Sequence, residues 1–364
     1  MPIDPQEFAN DDAVLKEKAE QVAHDRDAAG LKGLTGGLEA VIVNTEPDNQ
    51  QAAAQEFLDW TGLHFAEAYE DERERTCVLK LEDCADFLIS SRKTGPNPFA
   101  RFNDNPKSAH LPNSRLETFV YKCRDLDAYH RIQRERGVAF QTNEIVRTDG
   151  YDYIQTTPSE YTGIALGFVE WKSEEGSWRT KGADPLGLEM TKPDRPYLAN
   201  IKYLDHTANR VRAEDRDASI LEFMALTSYD FQFAIYVELF NSITNVARLT
   251  MDDYAQVFTA GIRPFVSLEE SGPTEKFIHN YGVRTHHLAF HTEEIDATFQ
   301  ALKDDGMGFL VELVGSPEEG LKQTFTEMSP NTFLVNEYIH RFGDFDGFFT
   351  KSNVTLLTEA TDKQ

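Results

Sequence analysis

The strongest constraint on this chain is a phrase that occurs four times: an extended β-branched or aromatic strand, an amphipathic helix, then further short strands. GLEAVIVNT (37–45) is followed by QQAAAQEFLDWTG (50–62) and the strand candidates HFAEAYE and TCVLKLE. RLETFVYKC (115–123) leads into DLDAYHRIQRERG (125–137) and later GIALGFVEW (163–171). IKYLDHTANRV (201–211) leads into a helix predicted around 214–228, then FQFAIYVELF and NVARLT. RTHHLAFHT (284–292) leads into EEIDATFQALKDDG (293–306), and QTFTEM and TFLVNEYIHR (332–341) close the unit. In that last helix Ile295, Phe299 and Leu302 recur at spacings of three and four, and Asp305-Gly306 supplies a stop.

The four phrases form two pairs, which predicts a duplicated α+β fold. Glu39 lines up with His206 at 167 positions, Glu117 with His287 at 170, Glu170 with Glu337 at 167, and Gln155 with Gln323 at 168. At 364 residues the chain is long enough for one fold duplicated. The expected division is an N-terminal arm or helix (1–34), an N-terminal half (35–172) and a Gly-, Pro- and charge-rich linker (173–200). A C-terminal half (201–341) and a tail (342–364) follow.

Composition narrows the function. The formal net charge of −26 argues against nucleic acid or an anionic membrane as partner, since both need a basic footprint. Three cysteines, at 77, 84 and 123, are too few and too irregular for a disulfide framework or a Cys-based zinc site, and they fit a reducing cytoplasm. The start MPIDPQEFANDD has no basic and apolar leader, and no 18-residue apolar run is present. The expectation is a cytoplasmic protein, with homo-oligomerisation left open.

Ten histidines serve the whole chain, yet His286, His287 and His291 fall within six positions. Alternate side chains of a strand share a face. His206 shares parity with Leu204 and Ala208, His287 with Ala289, and Glu337 with Val335 and Ile339, whereas His286 and His340 point the opposite way. A carboxylate on an apolar strand face costs several kcal/mol unless it is paired or bound to a cation. His206, His287 and Glu337 therefore read as a two-His, one-carboxylate triad, which favours Fe(II) and leaves coordination positions open. A lone strand histidine is more often an ordinary half-buried residue, so the weight lies on the three together. His291 reads as a strand-end residue and His286 as a partner or pocket wall. Glu39, Glu117 and Glu170 read as a decayed copy, salt-bridged or solvated.

At these residues the chain resembles the vicinal-oxygen-chelate superfamily and, within it, the 4-hydroxyphenylpyruvate dioxygenase family. LDHTANRV resembles the strand carrying that family's first iron histidine, and GVRTHHLAFHTEEI its second-histidine strand. LKQTFTEMSPNTFLVNEYIHR resembles the Gln-x-Phe-Thr strand and the glutamate strand ending in Arg, and FGDFDGFFTKSN the segment before a closing C-terminal helix. The resemblance implies tandem βαβββ modules, each half an open barrel-like curved sheet, plus that helix. It implies Fe(II) on His206, His287 and Glu337, polar substrate contacts from Ser242, Ser267 and Gln323, and Phe325 and Phe348 packed on the substrate. The sequence departs from the family pattern at His286, where Gln is usual, at Ser267, where Asn is usual, and at Val354, where Phe is usual. These departures lie at the pocket and not at the metal.

The implied reaction is oxidative decarboxylation of a 2-oxo acid with O2 and hydroxylation of the remainder, giving homogentisate if the substrate is 4-hydroxyphenylpyruvate. Rival readings are a hydroxymandelate-synthase-like enzyme, an extradiol ring-cleaving dioxygenase, and a metal-free binding protein of the same fold. The extradiol family places an acid–base His and a Tyr where this chain has Gly272 and Glu327.

Overall fold

The computed structural model describes residues 8–173, 176–343, 345 and 347–364. Parts of the expected arm, linker and tail, at 1–7, 174–175, 344 and 346, lie outside the described residues. A first helix α1 (Asp12–Ala28) is capped by the Asp11 carboxylate. The N-terminal half contains β1 (Thr35–Asn44), α2 (Gln50–Trp60), β2 (His64–Glu70), β3 (Glu74–Lys80), β4 (Asp86–Arg92), β5 (Arg115–Cys123) and α3 (Leu126–Glu135). It continues with β6 (Val146–Arg147), β7 (Tyr151–Gln155), β8 (Ala165–Trp171) and β9 (Asp184–Pro185). The C-terminal half contains β10 (Ile201–Arg210), α4 (Arg216–Leu226), β11 (Asp230–Val237), β12 (Ser242–Arg248), β13 (Ala255–Gly261), α5 (Pro273–Tyr281) and β14 (Arg284–Thr292). It ends with α6 (Ile295–Asp304), β15 (Val314–Ser316), β16 (Leu321–Phe325), β17 (Val335–Arg341) and α7 (Lys351–Ala360).

Each half is one curled sheet, nine-stranded in order β6-β7-β8-β5-β1-β4-β3-β2-β9 and eight-stranded in order β11-β12-β13-β10-β14-β17-β16-β15. At each centre an antiparallel pair (β1·β5, β10·β14) is flanked by parallel neighbours (β4 and β8, β13 and β17). This is the duplicated α+β fold that the repeats predicted, in the tandem βαβββ form that the resemblance implied.

Strand alternation sorts side chains into separate cores. Val41, Val43, Leu288, Phe290 and Tyr338 enter one apolar core shared by both halves and by α2 and α4. Their strand neighbours Ala40, Ala208, Ala289 and Ile339 face the interiors of the two curls. The halves are also pinned symmetrically: Glu56 of α2 accepts from Ser329 and Asn331, and Glu222 of α4 bonds the Ser159 hydroxyl. Helix α1 lies on the C-terminal half, where the buried Arg26 donates to the carbonyls of Thr227 and Tyr229.

The predicted helices at 50–62, 125–137, 214–228 and 293–306 match α2, α3, α4 and α6. Gly306, at φ +97°, ends the last of these in the left-handed region. Strands β4 and β13 and helix α5 were not singled out. Both strands are buried almost throughout, so polar alternation is weak. Helix α5 is nine residues long, too short for a periodic signal, although Gly272-Pro273 marks its start. The segment read as a linker also does more than connect. Asp184–Pro185 adds an edge strand to β2, and Trp178 packs inside the N-terminal curl.

Candidate metal centre

Strands β10, β14 and β17 lie side by side, so the register fixes which residues meet. His206 pairs with Ala289, which in turn pairs with Glu337, and His287 stands two positions along β14 from Ala289. All three chemistry-bearing side chains point into the C-terminal curl and are buried. Their ligand atoms lie within 4.8 Å of one another, a group that could hold a metal ion. The Nε2 atoms of His206 and His287 stand 3.2 and 3.3 Å from Glu337 Oε2. Metal–donor bonds of ~2.1 Å set at right angles put neighbouring donors ~3 Å apart, so this spacing suits one ion. His206 Nε2 and Glu337 Oε1 are buried without any hydrogen-bond partner, as expected of atoms kept for a ligand. Two imidazole nitrogens and one carboxylate oxygen match the donor set of non-haem Fe(II).

Neighbouring groups set the tautomers. His206 Nδ1 lies 2.7 Å from Asp205 Oδ1, and Asp205 is held in a two-point ion pair by Arg341. Burial alone would raise the Asp205 pKa, but Arg341 and His206 reverse it and hold the carboxyl well below its usual range. The ionised Asp205 accepts a hydrogen bond from the His206 Nδ1–H, which leaves the Nε2 lone pair facing the centre. His287 Nδ1 meets His286 Nδ1 at 2.8 Å, and His286 Nε2 meets Gln364 Oε1 at 2.8 Å. The consistent assignment has His287 donating to His286 and His286 donating to Gln364, with both rings neutral. Burial pushes both well below the ordinary histidine range, and the positive charge of Arg210 acts in the same direction on each. Burial likewise raises the Glu337 carboxyl, opposed chiefly by His206.

The cavity above the centre, about 50 Å³, is lined by Ser242, Gln323, Phe325, His286 and residues of α7 including Val354 and Leu357. Both amide atoms of Gln323 are buried without partners. Phe348 packs edge-on against His206 at 5.4 Å, and Phe349 does so at 5.1 Å. Ser267 is not brought to the cavity. Its hydroxyl accepts from the backbone N–H of Glu269 and Glu270 in the turn before α5. His291 stacks on Tyr203 and is no part of the cavity lining. Sequence reasoning passed over two charged residues here. Neither Asp205 nor Arg210, which lines the cavity, was singled out, although Arg210 shares parity with His206.

The pairing inferred for the two halves needs correction. Both sheets bulge at the same place, between Ile42 and Val43 opposite β5 and between Ala208 and Asn209 opposite β14. Matching these bulges superposes Ala40 on His206, Thr118 on His287 and Asn44 on Arg210, and the β8 and β17 registers place Gly167 on Glu337. Glu39, Glu117 and Glu170 are thus displaced by one to three positions from the ligand sites, and a slip of one residue reverses the face. They serve locally: Glu117 pairs with Arg92, Glu39 accepts from Trp171, and Glu170 accepts from the Leu126 N–H. The N-terminal curl is filled by side chains. A Cβ at Gly167 would lie 2.5 Å from the Tyr153 hydroxyl, and Trp171 and Trp178 pack at 4.6 Å.

No protein-family model and no curated protein matches the sequence. Solved structures do. A triple mutant of 4-hydroxymandelate synthase from Streptomyces coelicolor matches at TM-score 0.67 and 15% identity, over 90% of this chain and 98% of that one. A xylose isomerase-like TIM barrel/4-hydroxyphenylpyruvate dioxygenase fusion protein matches at TM-score 0.63 and 14% identity, over 97% of this chain and 59% of that one. With two curled βαβββ modules and a closing C-terminal helix, the chain has the vicinal-oxygen-chelate fold in its two-module form.

Proposed function

We propose that the protein is a non-haem Fe(II)-dependent dioxygenase acting on a 2-oxo acid, with the chemistry in residues 201–341 and residues 35–172 as scaffold. The observation that carries this reading is the buried convergence of His206, His287 and Glu337, with His206 Nε2 and Glu337 Oε1 unpartnered. The likeness in fold to proteins named as 4-hydroxymandelate synthase and a 4-hydroxyphenylpyruvate dioxygenase fusion supports it. Bound Fe(II) would supply a Lewis-acid template with redox capacity, on which the substrate's carboxylate and keto oxygens and O2 can be brought together.

The chain's own residues supply the rest. Asp205 and His286 hold the two imidazoles in the tautomer that offers Nε2. Gln323 presents an unpaired amide for a substrate oxygen, and Ser242, whose hydroxyl lies 3.2 Å from that of Thr274, presents a second polar contact. Phe325, 4.7 Å from the His287 ring, forms an apolar wall. Phe349 and α7 cover the cavity and exclude water, which keeps its polar contacts strong, while Phe348 packs against the His206 ring outside the cavity lining.

The test is reconstitution with Fe(II) under reductant, followed by metal analysis and an oxygen electrode with a panel of aryl and aliphatic 2-oxo acids. The wild type should retain iron and consume O2 with at least one acid, and His287→Ala should do neither. A wild type that takes up no iron, or a His287→Ala variant that turns over normally, ends the proposal. Activity confined to catechols would replace it with ring cleavage.

A further inference from the structure

Arg210 is an unexplained charge in this cavity. It lies on β10 four residues from His206, on the same face, and its side chain lines the cavity beyond the triad. It is only 5% exposed. Among the described residues its one hydrogen bond is a long contact of 3.5 Å to the Pro273 carbonyl, and the Phe277 ring stacks beneath it at 4.4 Å. Among the described residues no carboxylate forms an ion pair with it; the buried Arg115, Arg248 and Arg284 likewise have none, but Arg115 and Arg284 both donate to the Asn103 amide oxygen, and the buried Arg216 pairs with Asp12 and Asp217. Burial pushes its pKa down to about 9, and no acid among the described residues offsets it. A buried cation is costly unless a counter-ion meets it.

The fold does not require arginine at this position. The matching residue of the N-terminal half is Asn44, whose amide donates to the Asn113 carbonyl at 2.8 Å. Other polar lining groups, such as Ser242, Thr274 and Gln323, are neutral and cannot balance the guanidinium. The cavity therefore carries charge at two places. A divalent ion with one carboxylate ligand would leave one positive charge at the triad, and Arg210 places another further along the same face of β10. Four residues of strand set the Cα atoms of His206 and Arg210 about 13 Å apart, and His287, across from Ala208, stands nearer to Arg210. That range, shortened by side chains reaching inward, suits a short diacid.

Resting on the dioxygenase reading, we propose that the substrate is a 2-oxo acid with a second, distal carboxylate, and that Arg210 binds that carboxylate. The 2-oxo carboxylate end lies at the triad, the distal carboxylate takes the planar fork of the guanidinium, and Gln323 and Ser242 serve the middle. Arginine suits this task because its fork can give two parallel N–H bonds to one carboxylate.

The experiment is anaerobic calorimetry on the Fe(II)-loaded protein with 2-oxoglutarate, 2-oxoadipate, 2-oxohexanoate and 4-hydroxyphenylpyruvate. 2-Oxoadipate and 2-oxohexanoate have the same number of carbons and differ in the distal charge. A charged hydrogen-bonded contact predicts that the better diacid binds about 10- to 100-fold more tightly than 2-oxohexanoate. Arg210→Met should erase that ratio by weakening the diacids alone, and Arg210→Lys should retain part of it. Equal binding of 2-oxoadipate, 2-oxoglutarate and 2-oxohexanoate, tightest binding of 4-hydroxyphenylpyruvate, or a ratio unchanged in Arg210→Met overturns the proposal. Should the Met variant not fold, the wild-type ratio decides. Failure of the dioxygenase reading shows separately, as a wild type that takes up no Fe(II).

Discussion

At the scale of single residues, the site depends on how each ligand is held as much as on the ligands. Asp205 fixes the His206 tautomer and is itself fixed by Arg341. Asp205→Asn should weaken Fe(II) binding ~10- to 100-fold, read by competition with a chelator, because outer partners of ligating histidines carry effects of that size. Unchanged affinity would mean that Asp205 serves only the ion pair. Glu275 of α5 makes a different point. Burial raises its carboxyl to about 8, although it accepts from the N–H groups of Gly261 and Ala213. The folded state therefore keeps a proton that the unfolded chain releases. Stability should fall as pH rises from about 4.5 to about 8, by an amount on the order of a few kcal/mol from this group. Glu275→Gln keeps an oxygen for both N–H groups and should flatten that decline. Melting curves of the two proteins across this range that run parallel would refute the assignment.

At the scale of elements, the two curls show how one topology becomes a centre or a plug. β10, β14 and β17 bring His206, His287 and Glu337 to positions where β1, β5 and β8 bring Ala40, Thr118 and Gly167. Gly167 leaves the space that Tyr153 fills, and Tyr153 is anchored by its hydroxyl bond to Gln155. Gly167→Ala should cost about 1–3 kcal/mol, the usual range for overpacking, measured by denaturant unfolding, with iron retention unaffected. A neutral effect would show that the N-terminal curl is looser than its packing implies. In the other curl, α7 and Phe349, which packs on Phe348, take the place of that plug and close a cavity instead of filling it.

At the scale of the whole molecule, the shared core and the paired Glu56–Ser329 and Glu222–Ser159 contacts join the halves. The surface carries a net charge of −26, so self-repulsion opposes compactness, and salt screens it with a Debye length of ~10 Å at 0.1 M. Raising monovalent salt from low ionic strength should raise the melting temperature. A flat or falling response would show that the acidic charge is already balanced locally. No helix among the described residues is long and apolar enough to cross a membrane.

Much of this was legible in the sequence, for a local reason. Strand parity is a property of neighbouring residues, so the inward faces of His206, His287 and Glu337 and the α+β repeat follow from apolar alternation and helical spacing alone. The correspondence between the halves was not legible, because the connections between matching strands differ in length by a few residues, and a slip of one residue exchanges inside for outside. Parity also marked Arg210 as inward, but whether an inward arginine has a carboxylate partner depends on which distant segments close over it. Here those are α5, α7 and the residue after it, Thr361, and among the described residues they bring Thr274 and Thr358 to the cavity and Phe277 beneath the guanidinium, but no acid that pairs with it. Which side chains face inward was thus set by the order of residues. Which of them meet, and which charge is left without a carboxylate partner among the described residues, was decided only when the strands and helices packed.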